Sequence, residues 1–400
     1  MITHDVEVLV VGLGPVGSTA ALYLARHGLT VAAIECAALG ATDLRASTFH
    51  APTIEMLDDL GAADVLLREG LRAPVYQYRD RQSDEVFSFD MTEIADRTRF
   101  PYRIQCEQHR VAHNIASLLA QEPSASVAYY QKLLFLESDE SGVTAYVETP
   151  HSVEKYRARY VIGADGANSV VRKLLDLDFP GFTYDEKFLC FSTEYPIEQA
   201  FSHLSYVNYI SDPQEWMVLL RVPDLWRVLV PAAPDVPDAT LLSEETKDSV
   251  FTRMLGKKAD VVTRHRTIYR VHQRVCARFA VGRVCLVGDA AHLNSPMGGF
   301  GMNSGIHDAI NLGEKLIAIL KRGASPGLIE LYHRQRHKVT TEFVQNQTIE
   351  NTRMMKAGWG SARTERREQM QRLLRDDELR YQFLLRQSMF TSLKDAAAIN

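Results

Sequence analysis

Apolar residues gather near the start of the chain, where Glu7 to Val11 forms a short run that breaks on Gly12. Apolar positions then recur at helical spacing, Val16, Ala20 and Leu24, up to Gly28, before a second run from Val31 to Ile34. Run, glycine turn, amphipathic stretch and second run predict strand, turn, helix and strand, the opening of a parallel α/β sheet. Beyond it the pattern is discontinuous. A helix is expected over Pro52 to Leu60, an acidic and aromatic stretch from Tyr76 to Phe100, and another helix from about Arg110 to Ala120. Strand-like pieces follow at Val143 to Val147 and Tyr160 to Gly163.

From Lys187 to Pro231 the character changes. Runs of β-branched and aromatic residues (Phe188 to Tyr195, Tyr206 to Ile210, Trp216 to Val222, Trp226 to Val230) alternate with polar or Pro-containing turns. That is the signature of an antiparallel sheet inserted into the α/β unit. Val284 to Val287 then reads as a buried strand and Asn303 to Lys321 as a helix, with Ser325-Pro326 as cap and first-turn proline of a further one. From Ser361 onward Arg, Glu, Gln and Leu dominate, which predicts helix. The expected fold class is therefore α/β: a Rossmann-like nucleotide-binding domain (1–75, 101–180 and 271–360), an inserted, mostly antiparallel β-sheet substrate domain (76–100 and 181–270) and a C-terminal helical segment (361–400).

Composition narrows the function. With 46% hydrophobic and 24% charged residues the chain can bury a large core as a soluble protein. A net charge of -5 lacks the basic footprint of a nucleic-acid or anionic-membrane binder, so neither partner is expected. Cys36, Cys106, Cys190, Cys276 and Cys285 are odd in number and without CxxC spacing, which argues against disulfides and a structural zinc site and for reduced, cytoplasmic thiols. No metal constellation is visible. His4, Asp5 and Glu7 stand where a signal peptide would be basic, and no apolar run reaches the roughly 18 residues of a membrane span.

Gly12, Gly14 and Gly17 form G-x-G-x-x-G between the first strand and first helix, with Pro15 and Val16 inside the motif, and Glu35 closes the second strand 18 residues beyond Gly17. The glycines permit a tight turn and close backbone approach, the helix N-terminus faces a pyrophosphate, and the carboxylate accepts from ribose hydroxyls. A Gly-rich turn beside a surface glutamate would explain the letters but not their strand-turn-helix context. An acid at this position also disfavours a 2′-phosphate, leaving FAD or NAD as the nucleotide.

Two further blocks bear on that choice. Val161 to Arg172 reads V-I-G-A-D-G-A-N-S-V-V-R, and Arg283 to Asn303 reads R-V-C-L-V-G-D-A-A-H-L-N-S-P-M-G-G-F-G-M-N. With the first fingerprint they make the chain resemble the FAD-dependent aromatic-ring hydroxylases, the flavoprotein monooxygenases that include para-hydroxybenzoate and salicylate hydroxylases. The resemblance covers most of residues 1 to 320 and rests on fold and cofactor motifs; the sheet between them carries no comparable substrate signature. Ser295-Pro296 departs from the frequent Pro-Pro, and Phe300 stands where a polar residue is common.

The resemblance implies FAD as cofactor, NADH or NADPH and O2 as co-substrates, and oxygen transfer through a flavin C4a-hydroperoxide to a small, already hydroxylated aromatic or heteroaromatic substrate, acidic in the preferred reading. It implies that Asp289 bonds the ribityl chain, that Gly299, Gly301, Met302 and Asn303 turn backbone N–H groups to the flavin pyrimidine edge, and that Asp165 lies near the diphosphate. Arg45 and Gln108 occupy further FAD-contact positions. In the inserted sheet His203, Tyr195, Tyr206 and Tyr209 are candidates to relay a proton, each with a packing role as the alternative. Pro296 would border the reacting ring. Arg221 and Arg227 repeat the six-residue spacing of two arginines in para-hydroxybenzoate hydroxylase, which implies a carboxylate anchor at Arg221 and a flavin-side cation at Arg227; edge snorkelling is the alternative. The expected partner is a small aromatic molecule, with a homodimer left open. An epoxidase or other biosynthetic flavin oxidoreductase, or a non-catalytic flavin-binding redox protein, remains as the competing reading. Trp216 and Trp226 do not form the W-x-W-x-I-P arrangement of halogenases.

Overall fold

The computed structural model describes residues 2–38, 46–212, 215–356 and 361–400. The opening pattern folds as strand Thr3–Val11, helix Pro15–Arg26 and strand Val31–Ile34. Buried on both faces, such strands read as continuous apolar runs, because helices cover a parallel sheet on each side. In sheet order, Val284–Leu286, Val153–Gly163, Thr3–Val11, Val31–Ile34 and Ala125–Ala128 run parallel. Lys132–Ser138 and Val143–Glu148 add an antiparallel extension on Val153–Gly163.

A second sheet of eight strands stands apart from the first. Its order is His292–Leu293, Thr263–Val275, Gly181–Thr193, Trp226–Ala232, Met217–Arg221, Val207–Ser211, Val75–Asp80 and Val86–Asp90. Every pairing in it is antiparallel except Val207–Ser211 against Val75–Asp80. The acidic and aromatic stretch after Tyr76 thus supplies a hairpin to this sheet. A third, small sheet pairs Arg103–Gln105 with Thr48–Phe49 on one side and Leu71–Ala73 on the other.

Helices follow the 3.6-residue pattern closely, with two displaced starts. Ser325-Pro326 does not open the next helix; Ser325 Oγ accepts from Gly327 N at 3.1 Å, a local turn, and the helix runs Leu328–Val339. The long helix Phe300–Arg322 begins three residues before the expected Asn303, since glycines in the left-handed region at its N-terminus let the chain enter the helix directly. The C-terminal segment forms helices Ser361–Arg375, Asp377–Gln387 and Phe390–Ala397. Among the described residues no helix is long and apolar enough to cross a membrane.

Candidate active site

One cavity of about 680 Å³ opens between the two large sheets. At one end lie Gly14, Pro15 and Val16, at the other Pro296, Met297, Gly299, Gly301 and Met302, and the antiparallel sheet forms a wall with Tyr209, Val218, Leu220 and Arg227.

The glycine turn divides its labour. A Cβ on Gly12 would lie 2.5 Å from the Ala164 carbonyl oxygen, and one on Gly17 would lie 1.9 Å from the Gly12 oxygen, so both are required by backbone packing. A Cβ on Gly14 would meet nothing within 4 Å and would project into the cavity, at the N-terminus of the Pro15–Arg26 helix. The unpaired first-turn N–H groups there suit a pyrophosphate. Glu35 is oriented by two backbone donors, Leu13 N and Ala37 N, each 2.9 Å from a carboxylate oxygen.

Asp165 does other work than the motif implied. Its carboxylate accepts from Ser169 Oγ at 2.5 Å and from Val170 N and Val171 N at 2.6 and 3.0 Å, capping a short helix. Its neighbours Ala164, Gly166 and Ala167 are what face the cavity, as does Gln108. Arg45 lies outside the described residues.

At the end of the cavity near Pro296 and Met297, Gly298 and Gly299 take φ of 100° and 72°, and Gly299 is the N-cap of Phe300–Arg322. That helix aims its N-terminal dipole into the cavity past Gly301 and Met302, a setting for an anionic ring edge. Asn303 is buried, and its side chain accepts from His50 N at 2.9 Å and donates to Thr48 O and Gly299 O at 2.8 and 2.7 Å. It locks the third sheet to the glycine loop. Asp289 lines the cavity on the turn after Val284–Leu286. Behind that turn, buried Asp308 accepts from Gly288 N at 3.1 Å, pairs with Arg336 Nε at 2.6 Å and meets His292 Nε2 at 2.8 Å. Burial alone would raise the Asp308 carboxyl, but Arg336 and His292 outweigh it and hold the group below its ordinary value.

In the antiparallel wall, strand alternation decides which residues reach the cavity. Val218 and Leu220 face it, and register pairs Leu220 with Arg227 and Arg221 with Trp226. Arg227 therefore faces inward, 4% exposed, donating to Tyr269 Oη at 3.0 Å and Ser47 Oγ at 3.4 Å. Arg221, one position out of phase, lies on the opposite face, its guanidinium 5.8 Å from the Trp226 ring centre. Tyr209 and Pro296 line the cavity. His203 does not: it is exposed in a turn at φ 52°, and its carbonyl accepts from Gln77. Tyr206 is likewise exposed, and Tyr195 sits at a separate surface pocket.

The motif reading passed over Ser47, Thr48, His50 and Arg103. The available signal was alternation: in both Thr48 to His50 and Arg103 to Gln105 a polar residue recurs every second position around an apolar one, a strand with one polar and one apolar face.

Residues 5–347 match the family model described as FAD binding domain. The chain is 32% identical over 357 residues to para-nitrophenol 4-monooxygenase of Pseudomonas sp. strain WBC-3, covering 87% of each protein. It is 27% identical over 350 residues to 6-hydroxy-3-succinoylpyridine 3-monooxygenase of Pseudomonas putida strain DSM 28022 / S16, covering 87% of this chain and 88% of that protein. Among solved structures, p-nitrophenol 4-monooxygenase from Pseudomonas putida DLL-E4 superposes with a TM-score of 0.91 at 31% identity, over 98% of this chain and 99% of that one.

Proposed function

From the premise that the chain belongs to the family of FAD-dependent monooxygenases of aromatic compounds, we propose that it hydroxylates a phenolic ring with NADH or NADPH and O2. The observation that carries this reading is the continuity of one cavity, from the helix N-terminus at Gly14 to a largely apolar chamber walled by Tyr209, Val218, Leu220 and Met297. A nucleotide-binding end joined to a ring-sized apolar end suits a flavin that meets an aromatic substrate.

The residues present fit FAD. Gly14 leaves room for a pyrophosphate at a helix N-terminus, Glu35 is set to receive ribose hydroxyls, Asp289 offers a carboxylate to the ribityl chain, and Gly301 and Met302 present a second helix N-terminus to the isoalloxazine edge. FAD, when bound there, supplies hydride acceptance and O2 activation. The protein's part is to hold the substrate ring against Pro296 and the glycine loop, to exclude water with Val218, Leu220 and Met297, and to hydrogen-bond the ring oxygen through Tyr209. Arg227, buried with Ser47 on one side and Tyr269 on the other, supplies a fixed positive charge at the junction of the flavin and substrate ends. The setting we infer is cytoplasmic, where reduced nicotinamide is supplied.

The test is a screen of phenols, hydroxybenzoates and hydroxypyridines for stimulated NAD(P)H oxidation, with products identified by mass. Phenols should stimulate oxidation and gain one oxygen atom. A yellow protein that NAD(P)H never reduces, whatever aromatic is added, would sink the proposal and favour a flavin-binding protein.

A further inference from the structure

Arg103 is left without a task by this account. It is 1% exposed, yet no carboxylate among the described residues pairs with it. Its guanidinium carbon lies 4.1 Å from the centre of the Tyr76 ring, Nη1 lies 3.4 Å from Tyr209 Oη, and Nε has no hydrogen-bond partner. Burying a cation without a counter-charge is costly, and stability alone gives no reason to keep it. The backbone shows where it points. Thr48 pairs with Gln105 and Phe49 with Ile104, and Phe49 and Ile104 turn into the core. Alternation then sends Arg103 and Gln105 to the other face, the one Thr48 shares, and Thr48 lines the cavity.

The groups around Arg103 leave its charge uncompensated. On the Val75–Asp80 strand, burial raises the phenols of Tyr76 and Tyr78, so both are neutral at physiological pH. Burial and then Arg103 itself push the His50 imidazole well below its usual value, so it is neutral too. Two nearby carboxylates are already engaged: Glu93 with Arg380 at 2.7 Å, and Asp80 with Arg363 at 2.7 Å. Arg366, which acts on Tyr78, only adds positive charge. Tyr209 is the link to the cavity. Arg103 can only donate, so the Tyr209 oxygen accepts from it and the Tyr209 hydrogen is left to donate elsewhere. A hydroxyl that accepts from a cation is a stronger donor in its turn.

Resting on the reading above that a phenolic ring occupies this cavity, we propose that Arg103 is a positioning residue that, acting through Tyr209, makes the site select the phenolate form of its substrate over the neutral phenol. The O–H bond breaks before or on entry, its electron pair stays on the ring oxygen, and the proton passes to solvent. Tyr209 then donates to the oxyanion while Arg103 balances its charge. A phenolate ring is the electron-rich form that oxygen transfer needs.

The probe is 4-nitrophenol, whose anion is yellow and whose neutral form is not, bound to the FAD-loaded protein without NAD(P)H across about pH 5 to 9. In the wild type the bound ligand should ionise at least one pH unit below the free ligand, meaning at least tenfold tighter binding of the anion. Arg103→Met should move the midpoint back toward the free value, leaving only what the cavity-facing Arg227 contributes, while retaining FAD and a cooperative thermal transition. Arg103→Lys should keep part of the displacement, and Tyr209→Phe should lose it with Arg103 in place. A purely structural arginine would alter FAD retention or melting and leave the midpoint where it was; that result in Arg103→Met overturns the proposal. If Arg103→Met fails to hold FAD, Tyr209→Phe decides, and a wild-type displacement in that variant overturns the proposal equally. Wild-type protein that binds the anion but oxidises no NAD(P)H with any phenol would defeat the hydroxylase reading alone. Turnover with the neutral phenol bound would defeat the Arg103 inference alone, and failure to bind 4-nitrophenol at any pH would defeat both.

Discussion

His50 and Gly298, 248 positions apart, are joined by a 2.8 Å hydrogen bond from imidazole Nε2 to the glycine carbonyl oxygen. A carbonyl can only accept, so Nε2 carries the hydrogen and Nδ1 of the neutral ring carries a lone pair, buried without a partner. The bond ties the third sheet to the loop that turns the Phe300–Arg322 helix toward the cavity. His50→Ala should therefore loosen FAD by roughly the 1 kcal/mol of a neutral hydrogen bond, about fivefold in Kd. Flavin fluorescence on dilution measures it, and unchanged affinity would show that the loop holds itself.

Burial makes His50 and His307 a pH liability. His50 sits well below the usual histidine range through burial and Arg103, and His307 is pushed down to about 3 through burial and Arg336. The unfolded chain takes up protons near pH 6.5 that these folded sites refuse. Their stability contribution is thus full above that pH and falls below it, for His307 by about 1.4 kcal/mol per unit, or roughly 2 kcal/mol at pH 5. Urea unfolding at saturating FAD at about pH 7.5 and 5 should show the loss. His307→Gln should remove about one histidine's share, and an unchanged pH slope in that variant would contradict the account.

Gly14 and Gly17 should fail in different ways. Gly14→Val has open space for its side chain and should fold without holding FAD, because it fills the room left for the pyrophosphate. Gly17→Val meets the Gly12 carbonyl and should destabilise the apoprotein itself. Circular dichroism and FAD content separate the two outcomes; a folded, FAD-free Gly17→Val would reverse the assignment.

Asp289 and Asp308 form a similar pair. Asp289→Ala should cost FAD binding about 1.5–3 kcal/mol, on the order of ten- to a hundredfold in affinity, with little change to the apoprotein. Asp308→Asn leaves Arg336 buried without its counter-charge and should cost the fold roughly 3–5 kcal/mol. Because the Asp308 carboxyl is held below its ordinary value, its contribution is present above the unfolded carboxyl range near pH 4 and is lost as pH falls further. Equal stability of Asp308→Asn and wild type would show that the pair contributes nothing net.

Arg221→Ala should be close to silent. Its contact is an aromatic face on the far side of the sheet, worth about 0.5–1 kcal/mol to stability, and the ratio of kcat/KM between a carboxylated and a neutral phenol should not change. A selective loss on the carboxylated substrate would restore the anchor role that the spacing with Arg227 implied.

The nucleotide-binding end was legible from residue order because its chemistry is local. Gly12, Gly14, Gly17 and Glu35 act within one strand-turn-helix-strand unit, where spacing along the chain nearly equals spacing in space. The Gly298 to Asn303 loop was legible for the same reason: a helix N-terminus is made by consecutive residues. Even so, Asp165 shows the limit, for a motif aspartate can be consumed by capping its own helix.

The substrate end was legible only as a sheet. Arg221 and Arg227 are six positions apart, but a turn intervenes, and antiparallel register sets Arg227 opposite Leu220 rather than in phase with Arg221. Side chains alternate across a strand, so a shift of one residue sends a guanidinium to the cavity or to the opposite face, and spacing alone does not carry that phase. Arg103 is the converse case. In sequence it is an arginine in a short alternating stretch; tertiary structure buries it beside Tyr76 and Tyr209, and no carboxylate among the described residues pairs with it. The sequence by itself determined a dinucleotide-binding opening and the order of the strands' apolar runs, because those follow from local backbone geometry and hydrophobic period. Which charges face the cavity was decided by strand register at Arg227 and by the packing that brings Arg103 to Tyr209, 106 positions away, since the cost of an unpaired buried charge depends on what the fold places around it.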